Sequence, residues 1–138
     1  MHTIVHGGVF LEWKVFDRFG EAGLCQAERQ GLYLYVFYTG VCRGEEMNRL
    51  ILAGERDFCT LGLPVPNGKN CSLTAKIPAR QIERLTQTEG ILLPFLPGKI
   101  ERCQPEKPVE NLPLLRKAML FTRGERQYFV WKRDFAAL

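Results

Sequence analysis

The sequence predicts a mainly β protein: a small antiparallel β-sandwich or partly open β-barrel, with one or two short helices, one of them near residues 112–120. Three observations lead there. Apolar and polar side chains alternate with period two over residues 9–16 (VFLEWKVF), the pattern of a half-buried strand. Residues 32–38 are all apolar or aromatic, a composition that suits a pleated, buried surface. Pro66-Asn67-Gly68-Lys69 separates two strand-like segments, and Asn-Gly tolerates the positive φ that a tight hairpin turn needs.

Taken in order, residues 9–16 place Val9, Leu11, Trp13 and Val15 on one side and Phe10, Glu12, Lys14 and Phe16 on the other. Gly20 and Gly23 make residues 17–23 read as a turn, and residues 24–27 as a short strand. The segment 31–38 (GLYLYVFY) carries Tyr33, Tyr35 and Phe37 on one face and Leu32, Leu34, Val36 and Tyr38 on the other. A strand apolar on both faces is expected to be covered on both, and therefore central. Gly40 and Gly44 mark a loop over 39–46, after which residues 48–53 (NRLILA) can return antiparallel beside that strand. Residues 58–65 and 71–77 form the expected hairpin, with Pro64 and Pro66 confining its first strand to a sheet edge. Ile82 and Leu85 stand at helical spacing after Pro78, so residues 79–86 fit one or two helical turns or a polar connection. Residues 90–96 (GILLPFL) read as a buried strand interrupted at Pro94. Asn111 and Pro113 can open a helix in which Leu112, Leu115 and Met119 share a face. Gly124 turns the chain, and residues 128–131 (YFVW) read as a last strand in preference to the core of a C-terminal helix ending in Phe135.

A chain of 138 residues suits a single domain. Within it, residues 1–103 read as a β-rich body, 104–111 (QPEKPVEN) as a linker, and 112–138 as a basic helix-plus-strand segment packed on the body. Hydrophobic residues at 46% and charged residues at 25% exclude wholesale disorder. The longest uncharged stretch, residues 30–42, is too short to cross a bilayer as a helix, so no membrane insertion is expected. The N-terminus lacks the basic start and continuous apolar run of a secretory signal, and the five cysteines are odd in number, widely spread and free of CxxC spacing. A cytoplasmic protein with reduced thiols is the expectation, with Cys59 and Cys71 the pair expected nearest each other across the hairpin.

Motifs of chemistry are few. His2 and His6 are the only histidines, and glycines follow them where a metal-binding helix would have to run. Glu45, Glu46, Glu55 and Asp57 offer carboxylates without the paired environments that acid–base catalysis requires. No GxSxG, HExxH, phosphate loop or Asp-x-Asp cluster occurs. The sequence therefore points to no metal, no cofactor and no catalytic residue.

Two features carry binding content. Tyr33, Tyr35 and Phe37 form an aromatic row at i, i+2, i+4. Exposed, such a row is a platform for a sugar ring, a base or a partner's apolar patch; the aliphatic residues on the reverse face favour a core role instead. The second feature is basic. Residues 1–115 are neutral, and the whole net charge of +4 lies in the last 23 residues, with Arg116, Lys117, Arg123, Arg126, Lys132 and Arg133 interleaved among aromatics. Basic side chains neutralise phosphates and aromatic faces stack on bases, so that segment is permissive for nucleic acid or another anion. The leading expectation is a non-catalytic protein-interaction module that binds a partner protein or forms a homo-oligomer through a sheet face or edge. Nucleic-acid or anionic-ligand binding is the alternative, and an enzyme with an unrecognised site the third reading.

Overall fold

The computed structural model describes residues 10–43, 47–85, 88–103, 118–123 and 126–133. Along them run β1 (Phe10–Asp17), β2 (Gly20–Gln30), β3 (Tyr33–Val41), β4 (Arg49–Ala53), β5 (Phe58–Gly62), β6 (Val65–Asn67), β7 (Asn70–Pro78), α1 (Ala79–Glu83), β8 (Glu89–Leu93), β9 (Pro97–Arg102), β10 (Met119–Arg123) and β11 (Arg126–Lys132). The fold is mainly β, as the sequence predicts. Eight strands form one sheet in the order β5-β4-β8-β1-β2-β3-β7-β6, and a second sheet has the order β10-β11-β9. Neighbours pair antiparallel except β1 and β8, which run parallel through Val15–Gly90 and Phe16–Ile91.

The strand order forces the large sheet to curl. Its two edge strands, β5 and β6, are consecutive in the chain and joined by Leu63 and Pro64 alone. At about 3.5 Å per residue, Gly62 and Val65 lie within about 11 Å of each other. A flat sheet spaced at about 4.8 Å per strand would hold its outer strands about 34 Å apart. The sheet is therefore a half-barrel whose edges approach at that link.

The concave side encloses one core, with Val15, Cys25, Ala27, Leu34, Val36, Tyr38, Leu50, Leu52 and Leu92 among its buried residues. Helix α1 closes one end of it by burying Ala79 and Ile82, with Leu85 following. The Ala79 amide donates to the Leu32 carbonyl at 2.8 Å, which ties that helix to the β2–β3 turn. Tyr38 fits because Gly40 lies beside it: a Cβ on Gly40 would stand 2.2 Å from the Tyr38 hydroxyl and 2.7 Å from the Ala22 carbonyl oxygen.

A second core forms where the three-stranded sheet covers the convex side of β4, β8 and β1. Phe16, Ile51, Ala53, Ile91 and Leu93 from the large sheet meet Ile100, Phe121, Tyr128 and Val130 from the small one. A buried polar chain crosses this interface: the Arg102 guanidinium donates to the Tyr128 hydroxyl at 3.1 Å, and that hydroxyl donates to the Glu89 carboxylate.

Several local expectations need correction. The β2 strand begins at Gly20 and has 11 residues, because only Arg18 and Phe19 are needed to turn the chain after β1. The strand covered on both faces is not the aromatic-rich β3 but β8, with β4 beside it, because those two lie under the second sheet. β4 pairs with β5 and β8, not with β3. The hairpin joins β6 to β7 with Gly68-Lys69 at its tip, Gly68 taking φ 67, while β5 lies at the opposite edge. β9, unanticipated in the sequence, pairs with β11. Met119 and Leu120, read as the end of a helix over 112–120, open β10 instead: Met119 and Phe121 turn to the second core while Leu120 is exposed, a period of two. The rest of that helix and the 104–111 linker lie outside the described residues. No helix among the described residues is long and apolar enough to cross a membrane.

Candidate binding face

β3 sits between β2 and β7, so its backbone is paired on both sides, while among the described residues its convex face meets no second sheet. Alternation then sorts its side chains. Leu34, Val36 and Tyr38 are buried at 1–2% exposure, whereas Tyr33 and Phe37 are 42% and 51% exposed and Tyr35 is half-buried. The aromatic row weighed as core on the sequence is thus a surface feature. Strand order decides this: among the described residues the three-stranded sheet packs on the convex side over β1, β4 and β8, away from β3.

Register assembles the surroundings of the row. Tyr35 lies between Lys76 on β7 and Glu28 on β2, Phe37 between Thr74 and Gln26, and Tyr33 between Pro78 and Gln30. The Lys76 ammonium stands 4.4 Å from the centre of the Tyr33 ring and 5.7 Å from that of Tyr35. A cation over two aromatic faces holds both rings in place and adds a positive charge to the strip. Leu32, in the turn before Tyr33, is 77% exposed and extends the apolar surface. The result is an aromatic strip with a cation along one flank and a carboxylate along the other. Lys76, Glu28 and Leu32 were not singled out in the sequence, because cross-strand register is what brings them to the row.

The basic C-terminal residues are placed differently. Arg116 and Lys117 lie outside the described residues. Arg123 and Arg126 are backbone register partners of β10 and β11. Lys132 and Arg133 are exposed, and the Lys132 ammonium lies 5.4 Å from the Phe95 ring centre. The aromatics interleaved with these charges are mostly core: Phe121, Tyr128 and Trp131 are at most 3% exposed. Those three present no open face on which a base could stack; Phe129 is half-buried, and Phe135 lies outside the described residues.

Among the described residues no group of three or more His, Cys, Asp or Glu side chains gathers to hold a metal ion. The five cysteines are free thiols. Burial pushes the Cys25 thiol up to about 12, so it stays protonated and unreactive at neutral pH. Burial and the hydrogen bond to Glu89 push Tyr128 up to about 12, which makes it a structural donor. Cys59 does not pair with Cys71: its sulfur meets the Gln81 side-chain oxygen at 3.7 Å, while Cys71 faces Cys42 and Tyr38. Compared with known protein families, curated proteins and solved structures, the chain finds no match in any of the three.

Proposed function

We propose that this protein is a non-catalytic, cytoplasmic interaction module whose outer β3 face docks against the same face of a second copy. The supporting observation is the exposed Tyr33–Tyr35–Phe37 strip flanked by Lys76 and Glu28. Large aromatic side chains supply much contact area for little conformational entropy and dominate interface energetics. The flanking charges favour a homotypic partner. A two-fold axis along β3 brings each aromatic of the row against its own counterpart. The same rotation sets Lys76 of one copy against Glu28 of the other, twice over, as an isologous interface requires. Free thiols at all five cysteines suit a reducing compartment.

Sedimentation velocity over a concentration series tests this. The wild-type chain should self-associate, and Phe37→Ser should weaken association at least about ten-fold, the loss of roughly 1.4 kcal/mol expected of an interface aromatic. Lys76→Glu should weaken it too, and adding Glu28→Lys should restore it. A wild-type chain that stays monomeric throughout, or charge reversal that the second change does not rescue, would overturn the homotypic reading.

A further inference from the structure

Opposite the end closed by α1, the half-barrel opens into a cavity of about 180 Å³. Its lining includes three sulfur-bearing side chains, Cys42, Cys71 and Met47, together with Asp17 and Arg43. Register explains the cysteines. Cys71 is paired with Gly40, and the Cys42 amide extends the ladder by donating to the Lys69 carbonyl at 2.8 Å. Cys42 and Cys71 therefore occupy diagonal positions on the same, concave face of β3 and β7. Cys71 is 5% exposed, whereas Cys42 is exposed and Met47 is 67% exposed, so the group reaches from the core to solvent.

We propose that this cavity binds a soft monovalent cation, Cu(I) or its analogue Ag(I), between the sulfurs of Cys42 and Cys71, with the Met47 thioether as a third and weaker ligand. Thiolate and thioether sulfurs select such ions over hard ones. The carboxylate among the cavity's described residues is already committed: Asp17 receives two hydrogen bonds from the Arg43 guanidinium at 2.9 and 3.0 Å, so the described lining falls short of the six or more oxygen ligands a hard cation takes. Among the described residues no histidine lines the cavity to complete a four-ligand zinc set. A disulfide suits the positions poorly. Diagonal residues of an antiparallel pair have Cα atoms about 7–8 Å apart, beyond the roughly 4.4–6.8 Å that a disulfide spans. An interposed metal with bonds of about 2.3 Å bridges sulfurs up to about 4.6 Å apart without moving either strand. Binding replaces two S–H protons by the cation: both protons leave to solvent, and no electron is transferred.

The test is an anaerobic titration of the full reduced chain with Cu(I) held by a chromogenic cuprous chelator, read by chelator bleaching and by thiolate-to-copper absorbance. One equivalent should move to the protein. Cys42→Ser, at an exposed position that leaves the core intact, should weaken binding at least about a hundred-fold, more than the 10–100-fold typical of losing a mere supporting residue. Cys71→Ser should do the same, Met47→Leu should weaken it about ten-fold, and Cys103→Ser should leave it unchanged. Copper uptake that survives Cys42→Ser overturns the site. So does a reduced chain that takes no copper from the chelator, or one whose Cys42 and Cys71 close into a disulfide under hydroperoxide without ever binding the cation.

Discussion

Replacing Tyr128 by Phe tests whether the two sheets are joined by the buried chain Arg102–Tyr128–Glu89. The substitution keeps the ring and removes one oxygen, so the second core loses no packing. Tyr128 is fully buried and Glu89 is 4% exposed, so the lost hydrogen bond is one to a carboxylate shielded from water. Hydrogen bonds to charged groups contribute about 1.5–3 kcal/mol, a sizeable part of the roughly 5–15 kcal/mol that holds a domain folded. The pH dependence provides a second, independent signature. Tyr128 is raised from an ordinary 10.0 to about 12 in the folded state. Below pH 10 both states keep the proton and the stabilisation is complete. Between pH 10 and 12 the unfolded phenol ionises while the folded one does not, so the unfolded state binds fewer protons and stability falls. A rise of two pKa units corresponds to about 3 kcal/mol lost across that window. Urea denaturation of the wild type and Tyr128→Phe, repeated from pH 7 to 12, measures both effects. The variant should be weaker by about 2 kcal/mol at pH 7 and should fall less steeply between pH 10 and 12. A variant within about 0.5 kcal/mol of wild type at pH 7, the range of an ordinary surface change, with an unaltered alkaline slope, would refute the assignment.

The same packing sets the response to other substitutions. Cys25→Ala should flatten the loss of stability between pH 9 and 12, because the Cys25 thiol is raised from 9.0 to about 12 by burial and its proton is retained only by the folded chain; an unchanged alkaline titration of stability would contradict this. Ile91→Ala, which empties the interface between the sheets, should cost about 2–5 kcal/mol in denaturant, while Leu32→Ala, at 77% exposure, should cost under about 0.5 kcal/mol. Gly40→Ala should destabilise by about 1–3 kcal/mol or more, because its new methyl would press on the Tyr38 hydroxyl and the Ala22 carbonyl; adding Tyr38→Phe should recover part of that loss by removing the oxygen 2.2 Å away, and no recovery would place the clash elsewhere.

Local physics made much of the architecture legible. The alternation over residues 9–16 identified β1 and its inward residues Leu11, Trp13 and Val15, and Pro78 with Ile82 marked the short helix α1. The glycine turn at Gly68 located the reversal into β7, although the strand entering it is β6 and not residues 58–65, and YFVW gave the heart of β11. Each of these signals arises within about ten residues, where backbone sterics and side-chain periodicity act directly.

Sequence alone determined that the chain is built of strands and which side chains along most strands share a face. Tertiary structure decided which of the two faces is covered. Phe37 is about as apolar as Ile51, Ile91 and Leu93, yet it is 51% exposed while they lie under another sheet. The difference comes from strand order, set by pairings such as β1 with β8 that span more than seventy residues of chain. Period two says that neighbouring side chains point opposite ways; it carries no information about what lies beyond each face. The meeting of Cys42, Met47 and Cys71 at the open end of the half-barrel has the same origin, since only the closing of β7 onto β3 brings those sulfurs to one cavity.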